Sequence, residues 1–387
     1  MKISEENYRL IEQIPPRDED EAAVVHQRWM RLSGDSTHEP DYLPLVVKGI
    51  DRNCPDEMKK LWPGHIRFTT EEQFDDPEKM LYEQLFRLVP LRRFPGDGTA
   101  VVMPWFGNAF LVSAFGLEMN IVDDTVWPAR HLSRDEVKRL ELPQDLTEAG
   151  LMPKVIQFIR YAKSVLPEHI PVGLFFMMSP YDLAYLVRGD KMMIDMYEAP
   201  EVVHHLMSLC TDLFIRATKL FKMEVGEPDD FYRYGPRTFA GGGHLCEDCC
   251  VMLSPELHSE FSIPYTRQAL DALGGGSVHF CGDGRHIIDS YLDIPNLYGI
   301  EYGQLHLNGP VDQTVRKFTS HSKALNAPGK GSKESWFDYF TRIIGLLNHR
   351  KYLWASAWCF TDEKETGETL LETWHEIQDR TLKHGLN

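Results

Sequence analysis

Several signals that mark common protein classes are missing from this sequence. It has no uninterrupted apolar run of the roughly 18 residues that a membrane-spanning helix needs. Its first residues, Met1 to Glu6, lack the basic and apolar regions of a secretory signal. It also lacks a Gly-X-Ser-X-Gly elbow, a phosphate-cradling loop and a Gly-X-Gly-X-X-Gly turn after an early strand. We therefore expect a cytoplasmic protein, with little support for a hydrolase or a nucleotide-binding protein.

Positive charge is scarce, and the cysteines do not form an even set. The chain has 41 Lys and Arg against 58 Asp and Glu, a formal net charge of -17. Nucleic acids and anionic membrane surfaces attract clustered Lys and Arg, so neither is an expected partner. The seven cysteines, an odd number without a secretory signal, favour free thiols over a disulfide framework.

The chain alternates short apolar segments with longer amphipathic ones. We predict eight strands, at residues 43–47, 100–103, 171–176, 238–241, 277–281, 298–302, 322–325 and 352–357. We predict helices between most of them, at 78–88, 151–165, 200–221, 255–273 and 336–348, with others at 21–32 and 366–382. Eight alternating units indicate a TIM (β/α)8 barrel, an α/β fold, and an open doubly wound sheet is the alternative. We expect residues 1–40 to form an N-terminal helical extension and 41–387 a single catalytic barrel domain.

A His and a Cys two residues apart end the fifth predicted strand. Side chains alternate along a strand, so His279 and Cys281 point to the same side and can bind one metal ion. Cys359 follows the eighth predicted strand, and active sites of such barrels lie where the strands end. These three residues predict an open zinc site of the Cys2His type, with a fourth position free for water or substrate. Buried cysteines that only fill the core are the simpler alternative.

A glycine-rich stretch with paired acids follows the fourth predicted strand. Gly242 suggests a close approach of a substrate to the backbone. Glu247 and Asp248 suggest a general acid or base, or a fourth metal ligand. A glycine turn with helix-capping acids is the structural alternative. A local zinc site at His244, Cys246 and Cys249 is a further interpretation of the same stretch.

Three more residues are candidate substrate contacts because they follow predicted strands. Met178 can cushion the flat apolar face of a corrinoid or aromatic ring, and Trp105 can stack on a ring or hold a quaternary amine. Tyr302 closes the sixth segment. Its neighbour Glu301 and the later His286 are interpreted as structural.

Three segments of this sequence resemble the uroporphyrinogen decarboxylase superfamily. They are residues 278–284, which contain His279 and Cys281, residues 247–256, and residues 197–204. Within that superfamily they are similar to the corrinoid-dependent methyltransferase branch, typified by methylcobalamin:coenzyme M methyltransferases. The resemblance extends from about residue 41 onward.

The resemblance implies a fold, a cofactor and a partner. It implies a TIM barrel, with zinc bound by His279, Cys281 and Cys359. It implies transfer of a methyl group between cobalamin, carried by a separate corrinoid protein, and a small substrate such as a thiol, a methylated amine or an aromatic ether. The direction of transfer, the fourth ligand and the formation of a homodimer stay open.

Two departures from the superfamily pattern keep alternatives in view. An Arg-rich N-terminal segment that meets porphyrin carboxylates in the decarboxylases has no counterpart here, and the usual Asp-Asp pair is replaced by Glu247 and Asp248. A metal-free decarboxylase acting on an acidic substrate is the second hypothesis. A non-catalytic binding protein with a structural metal is the third.

Overall fold

The computed structural model describes residues 3–33, 38–50, 68–89, 96–122, 124–175, 177–360 and 364–382. The side chains of residues 49–50, 358–360 and 364–367 lie outside that description.

A parallel sheet forms the centre of the fold. The strands in chain order are β1 Leu45–Ile50, β2 Met119–Val122, β3 Thr125–Pro128, β4 Met177–Met178, β5 Phe231–Tyr234, β6 Arg237–Ala240, β7 Gly243–Cys246, β8 Gly276–Phe280, β9 Leu297–Tyr302, β10 Ala324–Asn326 and β11 Leu353–Phe360. Seven of them pair in the order β1-β11-β10-β9-β8-β7-β4. All pairs in this sheet are parallel.

An eighth segment continues the sheet toward closure. Val102 forms a parallel bridge with Val172, which lies shortly before β4. The backbone N–H of Asp97 donates to the carbonyl of Leu45 in β1 at 2.8 Å, so the start of this segment lies beside the other end of the sheet. The predicted TIM barrel is therefore confirmed.

Helices surround the sheet. They are α1 Glu5–Glu12, α2 Glu19–Leu32, α3 Thr70–Asp75, α4 Pro77–Leu88, α5 Arg134–Lys138, α6 Met152–Val165, α7 Pro180–Arg188, α8 Lys191–Glu198, α9 Pro200–Val225, α10 Pro255–Phe261, α11 Ile263–Ala272, α12 Ile288–Leu292, α13 Val311–Ser320, α14 Trp336–Ile344 and α15 Lys364–Thr381. The helix predicted at residues 255–273 is divided at Ser262 into α10 and α11, with Pro264 in the first turn of α11.

The fourth predicted strand, residues 238–241, is not a strand of the barrel. These residues belong mainly to β6, which pairs antiparallel with β5 in a hairpin. The fourth barrel strand is β7, which pairs with β4 and β8. Gly241 turns the chain between the two, with a φ of +84°, a conformation that side chains other than glycine rarely adopt.

The β5–β6 hairpin lies against residues on the inner side of the sheet. The rings of Tyr234 and Phe239 stack on the His244 ring of β7, at centroid distances of 5.1 Å in both cases. Arg237 forms an ion pair with Glu301 of β9. The guanidinium of Arg237 also lies 5.1 Å from the Trp354 ring of β11. The hairpin therefore contacts three barrel strands and fills part of the space that they enclose.

The two N-terminal helices pack onto the rest of the chain. The indole N–H of Trp29 in α2 donates to the carbonyl of Asp97 at 2.8 Å, and Trp29 is 1% exposed. The side-chain amide of Asn7 in α1 donates to the carbonyl of Glu78 at 3.0 Å. The division at residue 40 stays a prediction. Among the helices of the described part, none has the length and apolar character that crossing a bilayer requires.

Candidate active site and metal centre

Asp248, His279 and Cys281 form a cluster at the carboxyl ends of β7 and β8. One potential ligand atom from each lies within 4.8 Å of the other two. The sulfur of Cys281 is 3.6 Å from Nε2 of His279, and that nitrogen is 3.9 Å from Oδ1 of Asp248. The side chains of His279 and Asp248 are 13% and 31% exposed, so the cluster is reached by solvent.

The local backbone explains this convergence. Cys246 of β7 pairs with His279 of β8. Asp248 lies two residues beyond Cys246, and Cys281 lies two residues beyond His279, so the two side chains reach the same end of the sheet. The carboxylate of Asp248 accepts a hydrogen bond from the backbone N–H of Cys281 at 2.7 Å. Gln304 accepts another from Gly282 at 2.6 Å, which fixes the turn after β8.

The cluster fits a zinc ion by its donors and their spacing. Zinc bonds of about 2.0–2.3 Å place tetrahedral ligand atoms about 3.3–3.8 Å apart, close to the separations observed here. Burial lowers the pKa of His279 to about 4, so the imidazole is neutral, as a metal ligand must be. Burial and the nearby Asp248 raise the pKa of Cys281 to about 11. A cation would reverse that shift and stabilise the thiolate.

Space for the thiol is left by a glycine on the neighbouring strand end. A Cβ at Gly303 would lie 2.6 Å from the sulfur of Cys281. Any larger residue at this position would force the thiol to move. Glycine at 303 is thus part of the candidate metal centre.

The predicted third ligand, Cys359, falls partly outside the description. Its backbone lies in β11, opposite Gly49 of β1. Its side chain lies outside the described residues, so its role as a ligand stays a prediction. The structure brings Asp248 to the position of a ligand beside His279 and Cys281.

Glu301 is a site residue that the sequence reasoning set aside as structural. Its Oε2 lies 3.6 Å from Nδ1 of His279, on the side of the ring opposite to Cys281. Ion pairing with Arg237 fixes the carboxylate, whose side chain is 11% exposed. A carboxylate behind a metal-binding histidine fixes the ring orientation and raises the basicity of the ligand. The pairing of β8 with β9 would have identified this residue, because it places Glu301 directly beside His279.

Glu247 is not in this cluster, although it was predicted together with Asp248. The strand ends at Cys246, and the chain turns at Glu247 before Asp248 begins a short 3-10 helix, so the two side chains diverge. The Glu247 carboxylate is 0% exposed and accepts hydrogen bonds from the hydroxyls of Thr266 in α11, at 2.5 Å, and Tyr291 in α12. Its burial raises its pKa to about 7. Of the two acids, only Asp248 stands beside His279 and Cys281.

A cavity of about 750 Å³ adjoins the cluster through Glu301 and Gly303. Its wall carries Lys48, Arg237 and Lys330 as cations and Trp336, Tyr339 and Trp354 as aromatic residues. Burial and the neighbouring Arg237 lower the pKa of Lys48 to about 8. The cavity therefore combines positive charge with flat apolar surfaces next to the candidate metal centre.

The other predicted substrate contacts lie elsewhere. Tyr302 is 3% exposed, and its ring lies 5.0 Å from that of Phe280 and 5.7 Å from that of Phe318 in α13. It therefore belongs to the core between the sheet and the surrounding helices. Trp105 donates its indole N–H to the carbonyl of Asp124 at 3.3 Å. Met178 ends β4 and is 7% exposed. None of the three lines the cavity beside Glu301, whereas Tyr302 lines an adjoining cavity together with Gly303 and Lys330, and the role of all three as substrate contacts stays a prediction.

Gly242 has a packing role within the chain. It precedes β7, at the end of that strand opposite to Asp248. A Cβ there would lie 2.5 Å from the carbonyl oxygen of Leu273 and 2.7 Å from that of Asp229. The close approach suggested by the sequence is therefore an approach of backbone to backbone.

Gly242→Ala is expected to destabilise the protein without weakening substrate binding. Overpacking against fixed backbone atoms costs about 1–3 kcal/mol in the free energy of unfolding. Thermal or denaturant unfolding measures this cost. Gly331→Ala is the control, since its Cβ would contact only the Glu334 side chain at 3.5 Å. Unchanged stability together with a raised KM in Gly242→Ala would show that Gly242 contacts the substrate instead.

Comparison with known proteins supports the fold and a similarity to uroporphyrinogen decarboxylases. Residues 38–224 match the family described as "Uroporphyrinogen decarboxylase (URO-D)". Uroporphyrinogen decarboxylases of Xanthomonas campestris pv. campestris and Xanthomonas oryzae pv. oryzae are each 28% identical to the chain, over 200 and 205 residues. Each alignment covers 49% of this chain and 50% of the relative, so the chain spans about half the length of the curated relatives it matches.

A solved structure extends the similarity in fold. A methyltransferase from Methanosarcina mazei superposes with a TM-score of 0.58, covering 88% of this chain and 94% of that chain at 14% sequence identity. At that identity the match shows a shared fold. The resemblance predicted from the sequence is confirmed at the level of the superfamily.

Proposed function

Because this chain resembles the uroporphyrinogen decarboxylase superfamily in sequence and fold, we propose that it is a zinc-dependent methyltransferase. In this proposal it moves a methyl group between cobalamin, held by a separate corrinoid protein, and a small substrate. The observation that carries the proposal is the convergence of Asp248, His279 and Cys281 beside a cavity. The fold shared with a methyltransferase supports it.

Each residue of the cluster has a role that follows from its geometry. His279 and Cys281 hold the metal with Cys359 or Asp248 as further ligand, and Glu301 orients the His279 ring. Zinc in such a site supplies Lewis acidity, which lowers the pKa of a substrate thiol or polarises the oxygen or nitrogen that carries a methyl group. When Cys359 is the third ligand, Asp248 stands beside the open position and accepts the proton of the substrate.

The cavity indicates what kind of substrate the site accepts. Lys48, Arg237 and Lys330 outnumber the single acid Glu301 on its wall, which favours a substrate with an anionic group. Trp336 and Trp354 offer flat surfaces for an apolar or aromatic portion. A small acid that carries the thiol, ether or amine group at its other end matches both features.

The test combines metal analysis with a methyl-transfer screen. Protein purified without chelator is expected to contain zinc at the candidate site. It is expected to transfer a methyl group from methylcobalamin to a thiol, or from a methylated amine or aromatic ether to cob(I)alamin. Tetrahydrofolate as acceptor is part of the screen. Absence of transfer in every combination by protein that is loaded with zinc would refute the proposal.

A decarboxylase is the second candidate, supported by the names of the curated relatives and by Lys48 and Arg237 in the cavity. It would act on an acidic substrate without a metal. Release of carbon dioxide that persists after complete removal of zinc would favour this candidate over the methyltransferase.

A further inference from the structure

A second cluster of potential metal ligands lies behind the candidate active site. It consists of Glu247, Cys250 and His258, and one ligand atom from each lies within 4.8 Å of the other two. Glu247 and Cys250 come from the turn after β7, and His258 comes from α10. All three are 0% exposed. The cluster is therefore closed, unlike the open one at Asp248.

The protein groups around His258 leave its ring nitrogens unsatisfied. Neither Nδ1 nor Nε2 has a hydrogen-bond partner among the described residues. The ring contacts that of Tyr291 at a centroid distance of 4.8 Å in a T-shaped arrangement. A buried polar group without a hydrogen-bond partner destabilises the folded state, so the burial of this imidazole calls for a ligand.

The two acidic members are placed as ligands would be. The sulfur of Cys250 is 3.7 Å from Oε2 of Glu247 and 3.3 Å from the hydroxyl oxygen of Ser262. Thr266 and Tyr291 donate hydrogen bonds to the two oxygens of Glu247. Hydroxyls that hold a carboxylate in this way act as the outer shell of many metal sites.

We infer that Glu247, Cys250 and His258 bind a second zinc ion, one with a structural role. A carboxylate, a thiolate and a neutral imidazole carry two negative charges, which balance Zn²⁺, and the Ser262 hydroxyl oxygen, 3.3 Å from the Cys250 sulfur, is a fourth donor at zinc-ligand spacing. Nitrogen, sulfur and oxygen donors together favour zinc over magnesium or calcium, which prefer oxygen alone. The ligand atoms of a tetrahedral zinc lie about 3.3–3.8 Å apart, and the Cys250 sulfur is 3.7 Å from Oε2 of Glu247.

The position of this zinc gives it a function in the fold. It connects the turn after β7 to α10, and that turn also carries Asp248 of the candidate active site. The two clusters use consecutive residues of this turn, Glu247 and Asp248. The structural ion thus fixes the backbone from which Asp248 reaches the reacting centre.

Metal counting on single-cysteine variants tests this inference independently of the methyltransferase proposal. The probe is zinc alone, measured by elemental analysis of full-length protein purified without chelator. We expect two zinc ions per chain in the unaltered protein, one in Cys250→Ala, one in Cys281→Ala, and two in the control Cys210→Ala. Cys210 is equally buried, in α9, and belongs to neither cluster.

The outcomes separate the two proposals. One zinc that Cys281→Ala removes and Cys250→Ala keeps would overturn the second site and leave the first intact. One zinc that Cys250→Ala removes and Cys281→Ala keeps would support the second site and count against the first. His258→Phe preserves an aromatic ring of similar size, so it reports the loss of the same ion if Cys250→Ala does not fold. A full count of two zinc ions in His258→Phe would also overturn the inference.

Discussion

Cys281→Ala is expected to abolish zinc binding at the candidate active site and to lower methyl transfer by about a thousand-fold. Metal ions stabilise transition states by several kcal/mol, and each 1.4 kcal/mol corresponds to about a factor of ten in rate. The sulfur of Cys281 lies 3.6 Å from His279 and is half-buried, so its removal takes away a ligand and little packing. Steady-state transfer rates and zinc content, measured on the same preparations, check the prediction.

The thermal stability of Cys281→Ala is expected to stay close to that of Cys210→Ala. A variant that loses activity but keeps its active-site zinc would show that the thiol acts in another way, for instance on the substrate directly.

A parallel Cys359→Ala variant identifies the remaining ligand. Sharp loss of zinc affinity with an intact fold would establish His279, Cys281 and Cys359 as the ligand set. Retention of zinc would leave Asp248 as the third ligand.

Glu301→Gln is expected to weaken zinc binding at the same site by about 10–100-fold. This is the typical effect of removing a carboxylate that orients a metal-binding histidine. The Glu301 carboxylate lies 3.6 Å from Nδ1 of His279, and glutamine keeps its size while removing its charge. Competition with a chromogenic zinc chelator measures the affinity of each variant.

Glu227→Gln is the matched control for Glu301→Gln. Glu227 is also a buried carboxylate in an ion pair, 3.0 Å from Lys222, but it lies in neither cluster. Both variants are expected to lose stability, because each leaves a buried cation without its partner charge. Only Glu301→Gln is expected to lose zinc affinity. Equal zinc affinity in the two variants would show that Glu301 does not support zinc binding through His279.

Much of the barrel follows from the sequence because strands and helices carry local signals. The segment that contains His279 was predicted within one residue of β8, and the alternation of side chains correctly brings His279 and Cys281 together. The helix that starts at Pro200 has proline in its first turn and ends at Gly226 in the left-handed conformation. These features depend on neighbours in the chain, which a single sequence displays.

The sequence-based predictions fail where contacts between residues far apart in the chain determine the structure. Residues 238–241 have the apolar character of a barrel strand, but pairing with β5 makes them part of a hairpin and moves the fourth barrel strand to β7. Tyr302 stays a predicted substrate contact, whereas Glu301 was interpreted as structural. The register with β8 instead turns Glu301 toward His279. Arg237, which holds Glu301, carries no local signal of that role.

The β5–β6 hairpin supplies the candidate site with a cation that the strands of the barrel wall do not carry to it. The wall bears His279, Cys281 and Glu301, whereas Arg237 comes from a hairpin whose two strands pair with each other. Lengthening or resequencing the turn at Gly235 and Pro236 would therefore move the guanidinium that holds Glu301, although the barrel strands kept their pairing. A change in this turn reaches His279 through Arg237 and Glu301, so a single loop adjusts both the charge of the cavity and the support of the metal centre.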